Sequence, residues 1–126
     1  MYYALKANKK KTAKSYGRAL RISSRSSVDV CKVINGKNLD KGKRFLADIM
    51  ARKRNIRGKH FDNCVSAVSE MVDSAAANAE AKGLDPAKLI IHASSHKGYT
   101  FRRPRRFKCR GQIRKIASIQ VVLEEK

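Results

Sequence analysis

Cationic side chains carry the clearest chemical signal in this sequence. Ten Lys or Arg residues and no Asp or Glu lie between Pro86 and Leu123, and six of the ten fall within the nine residues from Arg102 to Arg110. The planar guanidinium group donates paired hydrogen bonds to phosphate oxygens and stacks on bases. Pro104 stiffens this run and Phe107 offers an aromatic face. The predicted chemistry is therefore binding of a polyanion.

Groups that catalyse reactions or hold metals form no recognisable set. His92 and His96 share one strand face, but no third ligand is near, so packed or RNA-facing histidines are the preferred interpretation. The segment from Gly36 to Arg44 fails as a phosphate-binding loop, because five residues separate its glycines and Arg44 replaces Ser or Thr. We predict no enzyme activity, no catalytic residue, no metal and no cofactor.

Charge separates the chain into unlike regions. The 126 residues include 30 Lys and Arg against 10 Asp and Glu, a formal charge of +20. Residues 1–28 hold eight basic and no acidic residues, whereas residues 29–85 hold eleven against eight. Self-repulsion of this size favours a polyanionic partner. An apolar content of 42% suits one compact domain, and no apolar run reaches the roughly 18 residues of a membrane span.

Three helices and one early strand are predicted from periodicity and from start and stop signals. Alternation predicts a strand from Ala13 to Ile22. The first helix should begin after Ser23 or Ser24 and run to about Ile34, and the second should run from about Leu39 to Lys53. The third, from Asp62 or Asn63 to Gly83, has apolar residues at three- and four-residue steps and should be the central helix.

Two later segments predict a hairpin. Leu89 to His96 and Ala117 to Leu123 are apolar and β-branched, and in the second segment apolar residues alternate with Ser118 and Gln120. We expect the two strands to pair directly, with the second strand half-buried. The chain between them would extend about 13 residues from Ala93 to Arg106, a projection of roughly 40 Å. Such a ribbon needs contact with an RNA-like partner to be ordered.

We therefore expect two parts in the chain. Residues 1–12 lack periodicity and include three consecutive lysines, so they should form a basic N-terminal arm. Residues 13–126 should form a single α+β domain that includes a protruding hairpin at about residues 93–118. The three separated cysteines indicate free thiols in a reducing compartment.

Four stretches resemble a known family. They are Gly17 to Ser23, Asn78 to Asp85, His96 to Gly98, and Arg103 to Phe107. Together they resemble the universal large-ribosomal-subunit protein whose extended hairpin lines the peptide exit tunnel, number twenty-two in bacteria and archaea and seventeen in eukaryotes. The sequences of Asn78 to Asp85 and of His96 to Gly98 are similar to those of the archaeal and eukaryotic branch.

The resemblance implies a fold, a location and partners. The fold would be three helices packed on a small antiparallel sheet with a long protruding β-hairpin. The protein would be a structural constituent of the large subunit in cytoplasmic ribosomes, passing through the nucleolus if eukaryotic. Its partners would be rRNA, neighbouring ribosomal proteins and the nascent peptide at the hairpin tip, with no membrane and no homo-oligomer. The rival interpretation is a free architectural DNA-binding protein with a basic β-arm.

Charge and resemblance together select the candidate site residues. The tunnel-lining tip is predicted to comprise Arg105, Arg106, Phe107 and Lys108. Arg18 and Arg21 suit RNA contact or strand-edge protection, and the resemblance favours RNA. Phe107 suits base stacking or packing against Phe101 equally well. The predicted RNA-binding residues are Lys14, Arg18, Arg21, Lys97, Arg102, Arg103, Arg105, Arg106, Lys108, Arg110 and Arg114.

Two departures from the family pattern are visible. Relatives usually carry a long Gly- and Arg-rich insertion between the second and third helices, whereas Asn55 to Phe61 is short here. At the tip, a small residue and a glycine of the family are replaced by Arg106 and Lys108. Gly111 is expected to supply the backbone freedom that the lost glycine provided.

Overall fold

The computed structural model describes residues 3–5, 8–100, 102–106 and 108–126. Three helices and three strands form an α+β fold, which confirms the predicted class. None of the helices formed by the described residues combines the length and apolarity of a membrane span. In chain order the elements are a 3-10 turn at Lys9–Lys11, β1 Thr12–Leu20, α1 Ser24–Ile34, α2 Leu39–Met50, α3 Asp62–Ala81, a 3-10 turn at Pro86–Lys88, β2 Leu89–Lys97 and β3 Ala117–Glu125.

The sheet is antiparallel in the order β1-β3-β2. Leu123 of the central strand pairs with Ala13 on one side and with Ile91 on the other. Direct pairing of β2 with β3 was predicted and is confirmed. The position of β1 on the opposite edge completes the sheet.

Helix α3 packs its apolar stripe on the inner face of the sheet, as its periodicity predicted. Val65, Val68 and Val72 are completely buried in the core. Two polar groups also tie α3 to the edge strand, since Asn78 Nδ2 donates to the Lys14 carbonyl at 2.9 Å and Lys82 Nζ donates to the Thr12 carbonyl at 2.8 Å. The helix therefore fixes the strand that carries the first predicted RNA contacts.

The prediction that β3 is half-buried is wrong. Its polar residues Ser118 and Gln120 are only 3% and 7% exposed. A central strand has neighbours on both edges, and here the outer face also carries the N-terminal segment, whose Ala4 N–H donates to Gln120 Oε1 at 3.1 Å. Residues near the N-terminus therefore help to bury the face that alternation assigned to water.

Two helix ends differ from the sequence-based boundaries. Helix α2 ends at Met50 rather than Lys53, because Arg52 turns the chain with a positive φ of 59°. The residue that precedes α3 is Phe61, with φ 54°, and it makes no side-chain capping bond. Asp62, a predicted cap, is instead the first helical residue.

The hairpin is less regular than predicted. Its continuous ladder ends where Lys97 pairs with Ala117, so the strand does not extend to Arg106. Beyond it, Gly98 N–H donates to the Ile116 carbonyl at 3.3 Å, and an isolated bridge joins Arg102 to Ile113. Mutual repulsion among the cations and the missing N–H of Pro104 both work against a continuous ladder.

Candidate nucleic-acid interface

The predicted RNA-contact residues, which we call the basic path, lie on β1 and toward the hairpin end of the sheet. Lys14 and Arg18 lie on β1, Arg21 follows that strand, and Lys97 ends β2. Most of the set is exposed, whereas Lys14, Arg103 and Arg114 are half-buried. The others lie in the connection between β2 and β3, at Arg102, Arg103, Arg105, Arg106, Lys108, Arg110 and Arg114. Phe107 of the predicted tip, like Phe101, lies outside the described residues.

Ion pairs between Lys or Arg and a carboxylate are confined to one part of the described chain. Each Lys or Arg that contacts a carboxylate there belongs to the helical side of the body or its loops, as in Lys43–Asp73 at 2.8 Å and Arg57–Asp29 at 3.1 Å. The remaining such pairs are Arg52–Asp62, Arg54–Asp48 and Lys88–Asp85. No predicted RNA-contact residue pairs with a carboxylate of the described chain. The charge on the path is therefore available to an external anion.

The tip is a tight turn closed by its own backbone. The Arg106 carbonyl accepts hydrogen bonds from Cys109 N–H at 3.1 Å and Arg110 N–H at 3.2 Å. Gln112 N–H then donates to the Cys109 carbonyl at 2.8 Å. Gly111 has φ 71°, as expected for the residue that supplies backbone freedom, and Lys108 also adopts a positive φ of 67°.

Arg103 holds the base of this turn. Its N–H donates to the Gln112 carbonyl at 2.9 Å, and its Nη1 donates to Cys109 Sγ at 2.6 Å. Arg103 is thereby oriented by the hairpin itself. Its exposed neighbours Arg102, Arg105 and Arg106 make no such side-chain bond to a described residue.

Two tyrosines contact polar side chains of the sheet. Tyr16 and His96 stack with ring centroids 6.4 Å apart and an angle of 22° between their planes. Lys14 Nζ lies 4.9 Å from the centroid of the Tyr3 ring. Sequence reasoning did not assign roles to these two tyrosines. Tyr16 meets His96 only because β1 and β2 lie in one sheet.

Neither His92 nor His96 belongs to a metal site in the described chain. His92 Nε2 lies 3.3 Å from Glu124 Oε2, and His96 stacks on Tyr16. The described residues contain no group of three or more His, Cys, Asp or Glu side chains that could hold a metal ion.

The cysteines are thiols that differ in accessibility. Cys31 and Cys64 are buried, whereas Cys109 at the tip is partly exposed. Burial, together with the neighbouring Cys64, raises the pKa of Cys31 to about 12. Burial also raises the pKa of Cys64. Neither buried thiol is suited to nucleophilic chemistry at neutral pH.

Comparison with known proteins decides the family. The family model described as ribosomal protein L22p/L17e matches residues 15–124. The chain belongs to the ribosomal protein L22p/L17e family. It is 34% identical to large ribosomal subunit protein uL22 of Methanocaldococcus jannaschii, over 98% of this chain and 94% of that relative. It is 27% identical to uL22A of Saccharomyces cerevisiae, over 99% of this chain and 82% of that relative.

Membership of the L22p/L17e family settles the class of protein. The chain is a structural constituent of the large ribosomal subunit and is not an enzyme, as predicted. The alignment with the Methanocaldococcus relative spans 146 positions, more than the 126 residues of this chain, so the relative carries segments that this chain lacks.

Two further exposed residues near the predicted RNA-contact set received no role from sequence reasoning. Lys115 is exposed and lies next to Arg114 in the acid-free stretch. Tyr99 is 82% exposed and follows Lys97 and Gly98 at the base of the hairpin. Position within the acid-free stretch was the signal that could have identified Lys115, whereas nothing in the local pattern distinguished an exposed Tyr99 from a packed one.

Proposed function

We propose that this chain binds rRNA of the large subunit through the basic path that runs from β1 to the β2–β3 connection. The observation that carries the proposal is the segregation of charge. The ion pairs between Lys or Arg and a carboxylate of the described chain all lie on the helical side and its loops, whereas no cation of the path makes one. Phosphates of RNA would neutralise the path and release counterions, which gives tight but salt-sensitive binding.

The proposal extends to the exit tunnel. The segment from Arg105 to Lys108, including Phe107, would line the tunnel wall and face the nascent peptide. Its support is the family membership together with the exposure of Arg105, Arg106 and Lys108 at the end of a self-closed turn. A cationic turn closed by its own hydrogen bonds would narrow a channel without support from the body.

The proposed division of the chain follows from the same reasoning. Residues 1–12 would act as a basic arm that reaches rRNA, and residues 13–126 would form the domain that carries the hairpin at about residues 93–118. The body would sit at the subunit surface beside other ribosomal proteins, as one copy in each cytoplasmic ribosome. In a eukaryotic cell the chain would pass through the nucleolus during assembly.

Sedimentation of a cell lysate tests the ribosomal assignment. We expect the chain to travel with the large subunit at moderate salt and to be released progressively as the salt concentration rises, because each phosphate contact adds to the salt dependence. Recovery with DNA, or as free protein at the top of the gradient at moderate salt, contradicts the proposal. Preference of the purified chain for kinked duplex DNA over rRNA would favour an architectural DNA-binding protein.

Crosslinking tests the tunnel assignment separately. A photoreactive residue in place of Lys108 should crosslink to a nascent peptide stalled in the tunnel, whereas the same residue in place of Lys41 on α2 should not. Lys41 is an exposed cation on a different element, so it is a matched control. Equal crosslinking at both positions, or none at Lys108, contradicts a tunnel-lining tip.

A further inference from the structure

An open cleft separates the returning strand of the hairpin from the starts of two helices. It encloses about 580 Å³ and lies where residues 112–115 pass the N-termini of α1 and α3. Its lining includes Arg21, Ser23, Phe61, Ile113, Arg114 and Lys115. These residues come from three separate stretches of chain, so the cleft exists only in the folded protein.

Three cations lie along the cleft without an acidic partner. Arg21 and Lys115 are exposed and Arg114 is half-buried, and their side chains make no ion pair or hydrogen bond to a described residue. The carboxylate of Asp62 also lines the cleft, but it is engaged by Arg52 at 3.3 Å. A half-buried guanidinium without an acceptor loses part of its hydration without compensation, so the cleft favours an anionic ligand.

The backbone strengthens the positive potential of the cleft. Ser23 and Phe61 precede α1 and α3, and neither makes a side-chain capping bond. No cap side chain accepts from the first N–H groups of either helix, although Cys64 N–H donates to the Phe61 carbonyl at 2.8 Å. The positive ends of two helix dipoles lie beside the three cations. The helix termini reinforce a site that the cationic side chains define.

Apolar side chains supply the smaller part of the cleft surface. Ile113 is 59% exposed, which is unusual for a large aliphatic residue of this chain, and the ring of Phe61 also lines the space. The volume falls within the roughly 300–1,000 Å³ of small-molecule sites, more than one phosphate needs. Cations beside apolar and aromatic surface match a nucleotide, whose phosphate is charged and whose base is flat and apolar on its faces.

We propose that this cleft binds one unpaired nucleotide of the RNA, with its phosphate on Arg21, Arg114 and Lys115 and its base against Phe61 and Ile113. The inference rests on the proposed RNA-binding function and adds to it a defined ligand. A base in a continuous duplex is stacked and cannot enter, so the cleft selects a bulged or single-stranded position. The base of the hairpin thus distinguishes unpaired from paired RNA, whereas the tip cations add affinity that depends on neither sequence nor shape.

Two synthetic RNA stems test this inference with the full chain. One carries a single bulged 2-aminopurine, and the other is the fully paired counterpart. We expect the wild-type chain to bind the bulged stem about tenfold more tightly, in line with the stacking of one base, and to change the 2-aminopurine fluorescence. Arg114→Gln and Ile113→Ser should each reduce the preference to below about threefold.

A matched control separates the cleft from general charge. Lys32→Gln removes one exposed cation from the far end of α1 and should keep the tenfold preference. Arg114→Gln alone should also lower the magnitude of the salt slope by about 0.7, the value for one lost single-strand phosphate contact. Thermal melting of each variant checks that the body remains folded.

The outcomes distinguish failure of the inference from failure of the proposed function. Equal binding of both stems by the wild-type chain overturns the cleft assignment and leaves RNA binding intact. Binding of neither stem, nor of rRNA, contradicts both. Tighter binding of free adenosine monophosphate than of the bulged stem would make the cleft a small-molecule site and overturn the RNA assignment.

Discussion

Gly42 of α2 packs directly against the side chain of Ile91 on β2. A methyl group at Gly42 would overlap Ile91 Cδ1, and Ile91 is completely buried. Gly42 N–H still donates to the Asn38 carbonyl at 2.9 Å, so the glycine is part of the regular helix. The close approach sets how near the second helix lies to the strand that carries the hairpin.

Substitution of this glycine should therefore destabilise the body. Gly42→Ala gains about 1 kcal/mol of helix propensity but overpacks the core, which costs roughly 1–3 kcal/mol, so we expect a net loss of about 1 kcal/mol. Ile91→Val removes Cδ1 and should cost about 1 kcal/mol alone. In the Ile91→Val background, Gly42→Ala should become neutral or stabilising. Urea unfolding of the four proteins measures the coupling, and additive losses would contradict the close contact.

Removal of the hairpin end should leave the body folded. The described hydrogen bonds of residues 102–112 close within the hairpin, as in Arg103 to Gln112. Replacement of residues 100–112 by a short Gly-Ser linker should keep the far-ultraviolet circular dichroism and shift the melting temperature by only a few degrees. RNA affinity should fall, and the salt slope should shrink by about 0.7–0.9 for each lost phosphate contact.

A full-length variant tests whether charge explains that loss. Glutamine in place of the six cations between Arg102 and Arg110 keeps the loop but removes the same charges. We expect this variant and the shortened chain to lose similar affinity. A large fall in melting temperature of the shortened chain alone would show that the hairpin end belongs to the core.

Local patterns predicted most of the elements. The three- and four-residue spacing of α3 and the apolar runs of β2 and β3 identified those elements because each is a local signal. The end of α2 was placed too late because Lys53 continues a helical pattern, while the left-handed backbone of Arg52 ends the helix first. Positive φ in a non-glycine residue has no reliable signature in a single sequence.

Long-range pairing explains what the sequence did not reveal. Burial of Ser118 and Gln120 depends on β3 lying between β1 and β2, and β1 comes about a hundred residues earlier. The cations of the path were predicted because charge is a compositional signal. The cleft beside Arg114 was not, because its walls come from distant segments that meet only after folding.

Lys108 should make the tip turn less stable than a glycine at the same position would. It adopts φ 67°, a conformation that costs most L-residues about 1–2 kcal/mol and costs glycine little. Lys108→Gly should therefore slow amide exchange of Gln112, whose N–H closes the turn, by about two- to fivefold after the entropy of glycine is counted.

Two variants control for charge and for strain in that experiment. Lys108→Gln removes the charge but keeps the side chain, so exchange at Gln112 should remain close to wild type. Gly111→Ala places a methyl group at φ 71° and should speed exchange by about five- to thirtyfold, the equivalent of about 1–2 kcal/mol. Faster exchange in Lys108→Gly than in Lys108→Gln would contradict backbone strain at the tip.

Cys31 should make the body sensitive to alkaline pH. Burial raises its pKa to about 12, above the roughly 8.5 of an unfolded thiol. Between these values the folded state holds a proton that the unfolded state releases. The contribution of this thiol to the free energy of unfolding is therefore fully present below about pH 8.5 and falls as pH rises toward 12. The slope contributed by this thiol approaches about 1.4 kcal/mol per pH unit.

Urea unfolding between pH 8 and 10 tests this contribution. The free energy of unfolding should fall less steeply with pH in Cys31→Ala than in wild type. Cys109→Ala, which alters the partly exposed tip thiol, should keep the wild-type slope, and identical slopes in all three proteins would show that the Cys31 thiol is not protonated by burial.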